Sequence, residues 1–304
     1  MPDKPAAEVQ ITADLVRRLV DAQATLTIQD AAALSLEKVA EGWDSELWRL
    51  GESLAVRLPR RALAAPLVLN EQRTLAQIGP RIEATGVRVP TPIVHGVAGE
   101  GFPWAWSVVP WFDGHRGLDV PRAERSGWAP RLAAALLALH EPAPADHPVN
   151  PFRGGPLASR AAATAERIAL LRERRTTATG LLDDAEELWH RGLSAAPWQE
   201  PPVWIHGDLH PGNLVARGAA LAAIIDFGDV TAGDPAYDLA IVWLAFDADG
   251  RQRFREATGD RYSAATWQRA RAWAAAVTVM LLAHSDDNPD YEHLGREALA
   301  ELAT

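Results

Sequence analysis

Cysteine is absent from the sequence, which excludes disulfides, thiolate catalysis and cysteine-ligated zinc. Lysine is almost absent as well: only Lys4 and Lys38 occur, so arginine carries nearly all of the positive charge. Positive charge is itself in deficit. The 30 Lys and Arg residues face 40 Asp and Glu, a net charge of -10, which argues against nucleic acid or an anionic membrane as the main partner and suits a cationic ligand better. Long apolar runs are missing too. The longest, around "WAAAVTVMLLA", is too short to span a bilayer, and the opening "MPDKPAAEVQITADLVRRLV" lacks the apolar segment of a signal peptide, so a cytoplasmic location is expected. No low-complexity tract or repeat period is visible.

What is present divides the chain in two. At 304 residues it is long enough for two cores, because single cores stop growing near ~250 to 300 residues. The segment "ITADLVRRLVDAQ" places Leu15, Val16, Leu19 and Val20 on one helical face behind Thr12 as an N-cap. From Leu34 to Pro59, "LSLEKVA", "SELWRLG" and "SLAVRLP" are runs of β-formers broken by "EGWD" and "GES", which predict three antiparallel strands. A helix through Leu67, Leu69, Leu75 and Ile78 should then stop at Gly79-Pro80, and "TPIVHGVA" and "WAWSVVPWF" predict two more strands. Beyond about Asp113 the text turns to alanine-rich helices interrupted by two short apolar strands, "VWIHGD" and "AAIIDFG". The expected class is α+β: a small β-rich N-terminal lobe, residues 1–112, hinged near Val109 to Gly114 onto a large helical C-terminal lobe, residues 113–304.

Between these two strands stands "HGDLHPGNLVARGAALAAIIDFGD", with His206, Asp208, His210, Asn213 and Asp226 separated only by small residues and apolar runs. Carboxylates gathered near a core hold a metal, move a proton, or do both. Kinases place an Asp as base, an Asn five residues on as a metal ligand, and a later Asp-Phe-Gly whose Asp also holds Mg²⁺. Here Asp208 plus five is Asn213, and Asp226-Phe227-Gly228 follows a buried strand. Phosphoryl transfer is largely positioning and charge neutralisation, so it needs hard oxygen ligands beside an oriented hydroxyl. In that pattern Asn213 and Asp226 grip the metal, Asp208 aligns the hydroxyl and takes its proton, and His206 braces the loop.

At these residues the sequence resembles the aminoglycoside phosphotransferase family, kinase-like small-molecule phosphotransferases that include macrolide phosphotransferases. The segments "VRLPRR", "WSVVPWFDG", "LALH", "NPFRGGPL" and "GDPAYDLA" stand in the family's order over nearly the whole chain. The resemblance implies a two-lobed kinase-like fold with ATP or GTP and Mg²⁺ between the lobes. It also implies a small-molecule acceptor on the helical lobe, an aminoglycoside or similar antibiotic, with a macrolide or metabolite as the alternative. Carried over position by position, it makes Asp208 the catalytic aspartate, Asn213 and Asp226 the metal ligands, and Glu71 the helix carboxylate of the ion pair. "LAVR" puts Arg57 where kinases carry a phosphate-binding lysine, and the two are not interchangeable.

The phosphate-covering loop departs further, since "EGWDSELWRLG" offers Gly42 and nothing small and flexible until Gly51; Gly42 to Ser45 is the expected phosphate contact, with Ser45 reaching it, and the base lies against Val109 to Trp111. Gly207 replaces the Arg of His-Arg-Asp and no Ala-Pro-Glu follows, which favours a small acceptor over a protein. Two rivals from other classes stand beside this reading. One takes His206, Asp208 and His210 as the alternate-residue metal triad of a hydrolase. The other is an idle nucleotide binder, suggested by Arg57 and the irregular loop. The acidic segment "HSDDNPDYEH", with Asp286, Asp287, Asp290 and Glu292, is a candidate for recognising an amine-bearing acceptor, and Asp234 and Asp238 are expected to cap a helix that begins near Pro235.

Overall fold

The computed structural model describes residues 5–285 and 288–304. Helix α1, Ala13–Gln23, starts as its sequence requires, with Leu15 N–H donating to Thr12 Oγ1 at 3.2 Å. Its buried Leu15, Val16, Leu19 and Val20 pack with Trp48, Val56, Trp106 and Val108 into one apolar core. The other walls of that core are β1 (Leu36–Glu41), β2 (Ser45–Leu50), β3 (Leu54–Pro59), β4 (Val94–Gly96) and β5 (Trp106–Pro110). They form one antiparallel sheet of order β1-β2-β3-β5-β4, in which Arg57 of β3 faces Leu47 and Ser107 on its two neighbours.

Helix α2, Ala65–Glu83, follows β3 and does not stop at Gly79-Pro80. The apolar stripe continues past the proline, since Ile78 and Ile82 are both fully buried, and that burial outweighs the local stop signal. Gly79 serves close packing instead: a Cβ there would come within 2.5 Å of Thr91 Oγ1.

The helical part is built from α3 (Ala129–Leu139), α4 (Ala161–Arg174), α5 (Thr179–Ser194), α6 (Ala236–Leu239), α7 (Ile241–Ala245), α8 (Ala248–Thr258), α9 (Ala264–His284) and α10 (Pro289–Leu302). α9 is apolar around most of its circumference because α4, α5, α6, α7 and α10 all pack on it. Short strands are threaded through: β6 (His115–Arg116), β7 (Val203–Ile205), β8 (Leu214–Arg217), β9 (Ala220–Ile224) and β10 (Thr231–Gly233), with β7 pairing β10 and β6-β8-β9 forming a small sheet. β8 was not expected from its own four residues. It exists because Gly218 turns the chain back so that Leu214 faces Ile224 and Val215 faces Ala223. No helix among the described residues is long and apolar enough to cross a membrane.

Candidate active site

The hairpin β8–β9 brings the two halves of the motif together. Asn213 ends a single 3₁₀ turn opened by Pro211, and its carbonyl accepts from Ile225 N–H at 2.9 Å, so Asn213 sits opposite the residue that precedes Asp226. The Asn213 side chain is 8% exposed, and its Nδ2 donates to the Asp208 carbonyl at 2.8 Å, leaving its Oδ1 as the amide atom free for a ligand. Asp226 has φ 64° and ψ 62°, a left-handed conformation that a non-glycine residue seldom adopts outside sites that require it.

His206 braces this loop, as expected. It is fully buried, its Nε2 bonds to the Ile225 carbonyl at 2.9 Å, its Nδ1 accepts from Asp208 N–H at 3.2 Å, and its ring lies 4.5 Å from Phe227. With both ring nitrogens committed, His206 has none to offer a metal, and among the described residues no three His, Asp or Glu side chains are grouped as a metal site. The hydrolase triad is therefore not assembled. His210 Nδ1 is likewise committed, accepting from Gly212 N–H at 3.0 Å, and burial lowers the imidazole's pKa so that it stays neutral.

From the sheet side, Arg57 Nη1 contacts both Glu71 oxygens at 2.8 and 2.9 Å, the ion pair that β3 and α2 were expected to make. Glu71 Oε1 also accepts from Phe227 N–H at 3.3 Å, tying α2 to the Asp-Phe-Gly turn. Arg57 then goes further than expected: its Nη2 donates to Asp226 Oδ1 at 2.6 Å. Burial works against the Arg57 charge, but Glu71 and Asp226 hold its pKa above the ordinary value. Burial raises Glu71 in spite of Arg57, whereas for Asp226 the pull of Arg57 outweighs burial and lowers it.

Ser45 is near this cluster, since Arg57 Nε approaches its Oγ at 3.5 Å. The turn before it is pinned by arginines rather than freed by glycines. Arg60 Nη1 donates to the carbonyls of Gly42 and Trp43 at 3.2 and 3.4 Å, and Arg61 pairs with Asp44 at 2.5 Å. Val109 is buried in β5 opposite Ala55. Trp111 N–H bonds to the Ser53 carbonyl at 2.7 Å, its indole N–H bonds to Asp113, and Arg49 lies over its ring.

Residues to which motif reading gave no part in the site complete it. Arg153 Nη2 donates to Asp208 Oδ1 at 2.9 Å, and its Nε donates to Asp229 Oδ2 at 3.2 Å. Asp238 does not cap a helix. It lies inside α6, 1% exposed, where its carboxylate accepts from His206 N–H at 2.7 Å and Gly207 N–H at 3.1 Å. The expectation took the Gly-Asp-Pro signal as a start for both acids, but only Asp234 stands at the helix start, where its Oδ1 accepts from Ala236 N–H at 3.0 Å, just ahead of Pro235 at the cap position. Of the acidic segment, Asp286 and Asp287 lie outside the described residues. Asp290 pairs with Arg116 at 3.0 Å, and Tyr291, with its ring 5.4 Å from His210 and its pKa pushed up to about 12 by burial and then by Asp208 and Asp226, places the start of α10 beside the loop.

A small antiparallel sheet joined to a helical lobe, with an aspartate, an asparagine five residues on and an Asp-Phe-Gly where the lobes meet, defines a kinase-like phosphotransferase. The model of the phosphotransferase enzyme family matches residues 35–273, and the chain belongs to that family. Solved structures agree on the fold. The GDP complex of wild-type aminoglycoside 2'-phosphotransferase-IIIa is 18% identical with a TM-score of 0.65, over 94% of this chain and 98% of that one. Macrolide 2'-phosphotransferase MphH from Brachybacterium faecium is 20% identical with a TM-score of 0.61, over 95% of this chain and 98% of that one. ADP-bound aminoglycoside phosphotransferase APH(2'')-Ib is 18% identical with a TM-score of 0.54, over 96% of this chain and 97% of that one. A search of curated protein sequences returns no match.

Proposed function

We propose that the enzyme transfers the γ-phosphoryl group of ATP or GTP to a hydroxyl of a small antibiotic, with an aminoglycoside as the first acceptor to test. The observation that supports this most directly is the hydrogen-bonded assembly of Asp208, Asn213 and Asp226 facing the Arg57–Glu71 pair. Residues present fit a divalent cation: the amide oxygen of Asn213 and the half-exposed carboxylate of Asp226 are hard oxygen donors of the kind Mg²⁺ takes. When bound, Mg²⁺ neutralises charge on the nucleotide's phosphates.

The chain's own groups do the rest. Asp208, its side chain 40% exposed, accepts the hydroxyl proton and orients the oxygen for attack. Arg57 exchanges its contact with Asp226 for the nucleotide's phosphates while Glu71 keeps it in line. The solved complexes of similar proteins with GDP and ADP support a purine nucleotide as donor.

For the acceptor, the net charge of -10 and the nearness of α10 to Asp208 favour a polyamine sugar. A macrolide is the second reading, favoured by Val149 and Phe152, which are 83% and 65% exposed on the segment that leads to Arg153. A panel of aminoglycosides, macrolides and neutral sugars with radiolabelled ATP and GTP tests both. Label transferred to none of them, with Mg²⁺ present, would remove the proposal.

A further inference from the structure

Among the described residues the Asp208 carboxylate receives one hydrogen bond, from Arg153 Nη2 to Oδ1 at 2.9 Å. The next cation candidate, His210, has its Nε2 3.9 Å from Oδ2, beyond hydrogen-bond reach, and is neutral. Arg153 comes from outside the motif, from the loop 150–155, and is anchored from behind. Its Nε and Nη2 lie 3.2 and 3.1 Å from Asp229 Oδ2, and Asp229 Oδ1 accepts from Asn150 Nδ2 at 2.7 Å. Asn150 Oδ1 in turn accepts from Phe152 N–H at 2.9 Å, so the loop that carries Arg153 is fastened to the same carboxylate.

The fold makes room for this arrangement at Gly207. With φ +84°, a Cβ at that position would lie 2.5 Å from the Asp229 carbonyl and 3.4 Å from Arg153 Cγ. Where kinases carry an arginine, this chain leaves a space that Asp229 and Arg153 fill. Burial opposes the Arg153 charge, but Tyr237, Asp208 and Asp229 hold its pKa above the ordinary value, so the guanidinium is charged whenever the site works.

We propose that Arg153 is a positioning residue of the transfer reaction: pinned on Asp229, it holds one oxygen of Asp208 and so aims the other at the acceptor hydroxyl. This rests on Asp208 taking the hydroxyl proton. The Asp208 main chain is already fixed through its N–H and carbonyl, so only the side-chain torsions are left to Arg153. A misplacement of about 1 Å at a reacting group costs on the order of 100-fold in rate. Arginine suits the task because its planar fork meets two carboxylates at set angles, which the single charge of lysine does not.

The test is a double-mutant cycle of Arg153→Ala and Asp208→Asn, with Arg153→Lys as the conservative variant, in the full chain with the acceptor found by the panel. Arg153→Ala is expected to lower kcat by roughly 10- to 100-fold with the KM for nucleotide unchanged within about two-fold. Arg153→Lys regains part of that loss. In the Asp208→Asn background Arg153→Ala costs little further, because its effect passes through Asp208. If the alanine variant fails to fold, Arg153→Met keeps the aliphatic stem and enters the same cycle. A wild-type kcat in the alanine or methionine variant overturns the proposal, and so does a full, additive loss on top of Asp208→Asn. Both presuppose a wild-type enzyme that transfers phosphate; one that transfers none overturns the functional reading first and this one with it.

Discussion

Arg57 Nη2 donates to Asp226 Oδ1 at 2.6 Å while the same guanidinium grips Glu71, so one side chain of the sheet spans a carboxylate on α2 and a carboxylate on the loop after β9. A lysine ammonium at this place would present one point of charge, whereas the guanidinium has separate nitrogens for the two partners. The arginine in "LAVR" where kinases carry a lysine therefore ties β3 both to α2 and to the Asp-Phe-Gly turn.

The first prediction concerns that tie. Glu71 is fully buried, and burial raises its pKa even with Arg57 present. Arg57→Ala removes the counter-charge and raises it further. A carboxylate whose pKa is raised on folding binds more protons when folded, so its contribution to stability is present below the unfolded pKa and is lost as pH rises through the folded one. The deficit of Arg57→Ala against wild type should thus be small near about pH 4, where an ordinary carboxylate is half protonated. It should grow toward neutral pH by about 1.4 kcal/mol for each unit by which losing Arg57 raises the Glu71 pKa further, to roughly 2 to 3 kcal/mol. Urea unfolding of both proteins across this range checks it, and a pH-independent deficit would count against the pair.

The second concerns the proton. Asp208→Asn keeps the shape of the side chain and its main-chain bonds to His206 and Asn213, so the fold and the nucleotide site should persist. It removes the basic oxygen. We expect kcat to fall by at least ~100-fold, the scale of a lost general base, with nucleotide affinity unchanged by calorimetry. Turnover at the wild-type rate would take Asp208 out of the mechanism.

The third separates metal from arginine. Asp226 is bonded to Arg57 and is also one of the two oxygen donors proposed for Mg²⁺. In Asp226→Ala, ATP or GTP should still meet Arg57, but adding Mg²⁺ should no longer tighten binding. Titration of nucleotide with and without Mg²⁺ measures this directly. Affinity that Mg²⁺ still stimulates would move the metal to other ligands.

The parts of the site that could be read from the sequence are those whose chemistry is set by linear spacing. Asp208, Asn213 and Asp226 fall at fixed offsets because one turn and one hairpin, residues 211–226, hold them together. Arg57 and Glu71 were legible only through the resemblance, which implied an ion pair between the third strand and the helix that follows it. Arg153 and Asp238 were not, since they meet the loop across 55 and 32 residues of sequence and carry no spacing of their own. Nor was the left-handed φ of Asp226, at which the chain turns so that Phe227 N–H meets Glu71 and the Phe227 ring lies beside His206. In the fold, the errors were likewise local signals overruled by burial: α2 runs through Gly79-Pro80 because Ile82 is in the core, and β8 forms because β9 lies beside it.

The last prediction tests whether the loop is held from behind. Asp238 is almost completely buried, and its two oxygens take the N–H groups of His206 and Gly207, the residues just before Asp208. Its Oδ2 also lies 3.2 Å from His140 Nε2, and His140 Nδ1 lies 2.7 Å from the Tyr262 hydroxyl, so the carboxylate is the hub of a buried network joining α3, α6 and the loop 206–213. Asp238→Ala leaves two buried backbone donors unpaired, at about 1 to 3 kcal/mol each. The total loss should therefore be about 2 to 6 kcal/mol, visible as a fall in Tm. Asp238→Asn keeps one acceptor oxygen but turns an amide N–H toward a donor, and should fall between. Gly207 sits in a conformation that only glycine tolerates well, and its N–H is one of the two that Asp238 holds, so the turn before Asp208 loosens once these bonds go. The kcat of the folded fraction should then drop together with Tm in the order wild type, Asn, Ala. A stable Asp238→Ala protein with normal turnover would show that the loop is held by Asn213 and His206 alone.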